Sequence, residues 1–337
     1  MSLLIALILT LLTAPSALAQ APRMGDRFVN RYGDGDRGGF FSVRLPFFLG
    51  AVGRTWRTPD GAAPWVAYDP QALQANSSIT WIGHSTFLVR FDGVTFLTDP
   101  VFADRASPFT WAGPERYVRL GVPLDSLPAI DFVIISHDHY DHADADAIAA
   151  LVKRGARFVV PLRMGELVRA AGGDAIELDW GESTEVAGVK VHCVPAQHFS
   201  GRWLDDQNRR LWAGFVVEGP TTKFFHAGDT GYFDGFRAIG ERFGRIDVAA
   251  VPIGAYAPMR MMSWVHMNPE EAVRAAVEVG ARHIVPMHYG TFELTEEPFD
   301  EPPRRFLAEA ERRHMGTKQV WVPKIGETCH WSSEEPH

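Results

Sequence analysis

Apolar residues along this chain come in short runs, each closed by Gly, Pro, Asp or His. Two such runs, 79–91 and 94–98, meet at Asp92-Gly93, which predicts a β-hairpin. Gly83-His84 interrupts the first run and Asp99-Pro100 ends the second. Further strands are expected at 132–135, 157–162, 189–193, 211–217, 223–225, 248–253 and 283–287. The alternation Val320-x-Val322 predicts a closing strand. Helical spacing lies between these runs. A helix from Asp144 carries Ile148, Leu151 and Val152 on one face and stops at Gly155. A short helix spans 164–171, and another is expected over 234–243. Asn268-Pro269-Glu270-Glu271 reads as a helix start, with a cap, a proline at the first position and acids in the first turn. Its buried face is expected to be Val273, Ala276 and Val277. A last helix near Pro302-Pro303 turns Phe306, Leu307 and Ala310 inward. A β-rich first part followed by strand–helix units predicts an α/β layered fold.

Outside this pattern stand the two ends of the first 64 residues. Residues 1–19 read as an export leader: an apolar core closed by Ala17-Leu18-Ala19, a small-x-small cleavage signal. Export to the periplasm or outside is therefore expected, although no Lys or Arg precedes the apolar core. Residues 20–64 form a Gly- and Arg-rich arm with an apolar patch at Phe40-Phe41 and 45–49, expected to pack on the body or face lipid. Residues 65–337 are expected to be one catalytic domain, because Pro and Gly punctuation is spread evenly and no period repeats.

Composition narrows the function. The chain has 337 residues, 46% of them hydrophobic, with ten tryptophans, which is enough for a large core. A formal charge of −8 argues against a nucleic-acid partner, which requires a basic face. Cys193 and Cys329 have no zinc-finger spacing and are expected as free thiols.

The chemistry is concentrated in Ser136-His137-Asp138-His139-Tyr140-Asp141-His142. Imidazoles and carboxylates directly behind a buried strand would lose hydration without return unless they held a metal. Histidines at i and i+2 of an extended segment point to one side, so His137 and His139 suit one ion. Asp141 and His142 lie past the turn and suit a second. His198, Asp229 and His288 each follow an apolar run, at the strand ends where sites assemble in α/β folds. Five histidines and two aspartates suit zinc, and iron or manganese accept the same donors. Asp99 and His84 are candidates to orient ligands from behind. His192, His226, His283, His314, His330 and His337 are expected to be structural or surface residues.

The H-x-H-x-D-H run resembles that of the metallo-β-lactamase-fold hydrolases. Trp81-Ile82-Gly83-His84-Ser85-Thr86, Pro195-Ala196-Gln197-His198, His226-Ala227-Gly228-Asp229-Thr230-Gly231-Tyr232, Pro252-Ile253-Gly254-Ala255-Tyr256 and His288-Tyr289-Gly290-Thr291 are similar to the N-acyl-phosphatidylethanolamine-hydrolysing phospholipase D family. That resemblance implies a four-layer αββα sandwich with two zinc ions. It implies His137, His139 and His198 around the first ion, Asp141, His142 and His288 around the second, and Asp229 between them. His266 matches a substrate-pocket histidine of the family. The expected reaction is in-line attack of an activated water on the phosphorus of a phospholipid substrate, with catalysis resting on Asp141, Asp229 and His266 and no protein nucleophile. Met259, Met261, Met262 and Trp264 around Arg260 offer an adaptable apolar lip for acyl chains and peripheral membrane contact. The alternative is a lactonase or small-molecule phosphodiesterase on the same fold.

Overall fold

The computed structural model describes residues 17–33, 35, 42, 44–54, 63–203 and 205–332. Most of the expected export leader, the Phe40-Phe41 patch and His337 lie outside the described residues. Leu18, in the expected cleavage signal, is buried against the body.

The arm opens with a small hairpin, β1 (Arg23–Met24) and β2 (Arg27–Phe28), followed by helix α1 (Leu45–Arg54). The first half of the body then builds β3 (Ser78–Gly83), β4 (Thr86–Phe91), β5 (Val94–Thr98), β6 (Phe132–Ile134), α2 (Ala145–Lys153), β7 (Arg157–Pro161), α3 (Gly165–Ala170) and β8 (Ala175–Leu178). The second half builds β9 (Ser183–Val186), β10 (Val189–Val194), β11 (Gly214–Glu218), β12 (Lys223–His226), α4 (Gly235–Phe243), β13 (Ile246–Pro252), α5 (Met259–Met262), α6 (Pro269–Glu278), β14 (Ala281–Met287), α7 (Glu301–Arg312) and β15 (Thr328–His330).

Two mixed sheets result. One runs β15-β3-β4-β5-β6-β7-β8 and the other β14-β13-β12-β11-β10-β9. Their inner faces share one core, centred where Phe96 stacks on Phe132 at 4.8 Å and meets Phe224 of the opposite sheet at 5.6 Å. Leu97, Val133 and Phe158 turn the other way and pack with Ile148 and Leu151 of α2 and Val168 of α3. Phe236, Ile239, Val273 and Ala276 of α4 and α6 cover the second sheet. The molecule is the expected α/β four-layer αββα sandwich. Because β5-β6-β7 and β12-β13-β14 are parallel, the carboxyl ends within each set emerge together; the His137 loop follows β6, Asp229 follows β12 and His288 follows β14, while His198 follows β10 of the second sheet.

Several local expectations are corrected. No strand forms at 320–322: Val320 makes only an isolated bridge to Ile284, and the closing strand is β15, paired with β3. Pro323, directly after Val322, lacks the N–H a ladder needs. Val277 and Leu307 are 46% and 47% exposed, and Ala272, Ala275 and Glu309 take the inner positions instead. Buried Glu309 is paired with Arg312 and Arg313. The run expected from 211 begins as a strand only at Gly214; Leu211 and Ala213 donate their N–H groups to Leu162 and Ser136, tying the chain to the metal-type loop before it joins the ladder. Strands β8 and β9 and helix α1 were not expected, being short, half-exposed or interrupted by Pro and Gly. Cys193 and Cys329 are free thiols, as expected.

Candidate metal centre

The loop after β6 is tied by an aspartate at the end of the neighbouring strand β5. Asp99 Oδ1 accepts the Ser136 N–H at 2.6 Å, and its Oδ2 accepts Ser136 Oγ, His142 Nδ1 and His226 Nε2, each at 2.8 Å. Asp99 sits at φ +36°, His84 at +52° and His288 at +60°, conformations that β-carbons resist. Strain of about 1–3 kcal/mol per residue persists only where surroundings over-determine it, and it gathers at functional sites. Gly228, at φ +62°, permits a close approach: a Cβ there would lie 2.7 Å from the Ala213 carbonyl and 2.8 Å from Ser136 Cβ. The turn carrying Asp229 can therefore touch the His137 loop.

Side chains from separate segments converge as a result. His137, His139 and His198 place ring nitrogens within 4.8 Å of one another, and His84, Asp141, His142 and His288 form a second such group. Asp229 Oδ2 stands between the groups, 2.9 Å from His288 Nε2, 3.2 Å from His142 Nε2, 3.8 Å from His198 Nε2 and 3.9 Å from His137 Nε2. His266 Nδ1 is also 3.9 Å from that oxygen. The seven expected ligand residues and His266 are thus brought together, all buried except His139, which is half-buried.

Second partners aim the rings. His137 Nδ1 is 3.0 Å from Ser136 Oγ, His142 Nδ1 faces Asp99, and His198 Nδ1 is 3.0 Å from the Val265 carbonyl. Each leaves Nε2 pointing inward, the arrangement metal-ligating histidines adopt. The His84 ring takes Asp141 Oδ2 at 2.9 Å. Buried His142 Nε2, His288 Nε2 and Asp229 Oδ1 make no hydrogen bond with any described residue, an expensive arrangement that a bound cation relieves. Imidazole nitrogens and carboxylate oxygens at this density fit divalent transition metals.

The electrostatics agree with that fit. Burial, reinforced by neighbouring imidazoles, holds His137 and His198 well below the ordinary histidine range, so both are neutral and able to donate lone pairs. Burial works against charge on His288 as well, but Asp229 and Asp141 overturn it and raise the ring to about 9. Burial opposes ionisation of Asp229, yet the His142 and His288 rings hold it well below its ordinary value. The centre demands positive charge beside these carboxylates. His266 is lowered to about 3 by burial, only partly offset by Asp229, and is neutral.

Three contributors escaped the sequence reasoning. His226, expected to be structural, joins the Asp99 network. Asp138 looks like a spacer, yet its carboxylate accepts the Gly201 N–H at 2.7 Å and Arg210 Nη1 at 3.0 Å. Arg202 Nη1 donates to the Asp138 and Ala143 carbonyls at 2.7 and 2.8 Å. Only their position inside or shortly after a ligand motif pointed to them.

An αββα sandwich with a buried His/Asp cluster at the strand ends defines the class of metal-dependent hydrolases. A family profile described as Beta-lactamase superfamily domain matches residues 95–289. An uncharacterised protein of Mycobacterium tuberculosis is 45% identical over 278 residues, 79% of this chain and 73% of its own. N-acyl-phosphatidylethanolamine-hydrolyzing phospholipase D 1 of Caenorhabditis elegans is 44% identical over 237 residues, 66% of this chain and 67% of its own. Among solved structures, Igni18, a metallo hydrolase of Ignicoccus hospitalis, superposes with a TM-score of 0.59 at 27% identity, covering 76% of this chain and 98% of that one. The chain belongs to the metallo-β-lactamase-fold hydrolases and is a metal-dependent hydrolase of that family.

Proposed function

We propose that the protein is a phosphodiesterase of phospholipase D type with two zinc ions, hydrolysing N-acyl-phosphatidylethanolamine-like glycerophospholipids to phosphatidic acid and N-acylethanolamine. The observation that carries the dinuclear part is Asp229 Oδ2, which faces His137 and His198 on one side and His142 and His288 on the other. His137, His139 and His198 are assigned to one ion, Asp141, His142 and His288 to the other, and Asp229 to both. Such an ion pair would supply an acidified water and neutralise phosphoryl charge. His84 and Asp99 hold Asp141 and His142 in place. Neutral His266, beside Asp229, is assigned as a hydrogen-bond donor to a phosphoryl oxygen. Attack of water on phosphorus breaks the bond to the ethanolamine oxygen, and the departing alcohol takes a proton.

The substrate reading is supported by the name of the Caenorhabditis elegans relative and by the wall of the site. Trp264 stacks on Phe199 at 6.0 Å between ring centres, and Phe199 packs on His139 at 4.6 Å. The segment with Trp264 and the half-exposed Met259 therefore offers an apolar path from the surface to the metal ligands. Peripheral membrane contact through this lip, and export under the 1–19 leader, belong to the same proposal. Recovery of the chain only from the cytoplasmic fraction, with its first 19 residues still present by N-terminal sequencing, would count against export. Among the described residues no helix is long and apolar enough to cross a membrane.

The test is incubation with N-acyl-phosphatidylethanolamine, phosphatidylcholine and an acyl-homoserine lactone, followed by mass spectrometry. Phosphatidic acid with N-acylethanolamine is expected. Release of only an acyl-homoserine would transfer the site to lactone chemistry.

A further inference from the structure

We infer that Asn30, in the N-terminal arm, is a positioning residue for the metal centre, acting through the backbone of His198. This rests on the proposed assignment of His198 to one of the two ions.

His198 lies beyond the end of β10, where the ladder no longer serves its peptide groups. Buried backbone donors and acceptors must find partners somewhere. Both come from one side chain 168 positions away: the His198 N–H donates to Asn30 Oδ1 at 3.1 Å, and Asn30 Nδ2 donates to the His198 carbonyl at 2.8 Å. A carboxamide that offers an acceptor and a donor side by side replaces one rung of a strand. Asn30 is 6% exposed, so water does not substitute for it. The neighbouring residue is tied to the same arm, with Gln197 Nε2 donating to the Gly33 carbonyl at 2.7 Å. The arm is itself anchored, since Phe28 is fully buried and its N–H donates to the Asn208 carbonyl at 2.8 Å.

Two constraints then aim His198. The Val265 carbonyl fixes the ring through Nδ1, and Asn30 fixes the peptide that carries the ring. With both in place, Nε2 is 3.4 Å from His139 Nδ1 and 3.8 Å from Asp229 Oδ2. Without Asn30, one restraint remains, and the donor swings about its own Cα. None of the residues that ligate the centre lies in the arm, so its sequence carries no metal-binding signature.

The test is zinc binding by full-length protein in competition with a chromogenic chelator, for the wild type, Asn30→Leu and Asn30→Asp. The leucine has the same size and no hydrogen bonds. Removal of outer partners of metal-ligating histidines weakens metal binding by about 10- to 100-fold. That loss is expected for one ion of Asn30→Leu, with the second ion held as in the wild type. Asn30→Asp keeps the acceptor for the His198 N–H and is expected to recover part of the loss. A purely structural role for Asn30 would lower the melting temperature of the metal-free protein and leave the zinc affinities of the folded protein alone. Wild-type affinity for both ions in folded Asn30→Leu overturns the inference. Should that variant not fold, Asn30→Asp is read alone, and equality with the wild type overturns it. A wild type that binds a single ion contradicts the dinuclear assignment instead, a result separable from the effect of Asn30.

Discussion

Three imidazoles of the centre are aimed by a partner behind them. His137 leans on Ser136, His142 on Asp99, and His198 on the Val265 carbonyl, so that Nε2 of each ring points inward. Asp229 has no such partner for its Oδ1 and depends on cationic neighbours alone. Asp229→Ala is therefore expected to abolish turnover and to lower the bound metal below the proposed pair of ions per chain, measured by plasma emission spectrometry, while circular dichroism still reports a folded protein. A fully active Asp229→Ala variant would sink the dinuclear assignment. The ligand-type residues were legible because clustered histidines behind an apolar run have few inexpensive explanations. Asp138, His226 and Asn30 were not, because their effect depends on a partner far away in sequence, and a lone Asp, His or Asn has many ordinary uses.

Elements explain how distant residues arrive at one place. Strand ends deliver the ligand-type residues, and helix starts fix the segments between them. The Asn268 side chain caps α6 by accepting the Glu271 N–H at 2.9 Å, and the Glu271 carboxylate takes the Asn268 N–H at 3.1 Å in return. His266 stands two residues before this cap. Asn268→Ala is expected to cost about 1 kcal/mol in chemical denaturation and to leave the metal content unchanged. A loss of metal would mean that α6 supports the ligands as well as the lip. The cap was readable from Asn268-Pro269-Glu270-Glu271 alone, whereas the exact inward face was not. Val277 points outward while Ala272, Val273, Ala275 and Ala276 are buried, a choice between neighbouring apolar residues that hydropathy alone does not make. Residues 320–322 failed for a related reason: alternation marks a half-buried extended segment, but it does not say whether a ladder partner is within reach.

At the scale of the molecule, the parallel strands of the two sheets discharge their loops at one edge, and the arm before them straps part of that edge. The layered architecture followed from the order of runs, since strand–helix alternation leaves few other ways to bury both faces of a sheet. The substrate did not follow from the fold, because one fold carries many chemistries. What favours a phospholipid is the apolar wall of Phe199 and Trp264 beside a centre suited to phosphoryl charge. The most direct measurement of that claim is hydrolysis of N-acyl-phosphatidylethanolamine in water enriched in oxygen-18, with both products weighed by mass spectrometry. Attack at phosphorus predicts the label in phosphatidic acid and unlabelled N-acylethanolamine, with neither product formed by Asp229→Ala. Label in the N-acylethanolamine, or in a fatty acid released from the lipid, would contradict it.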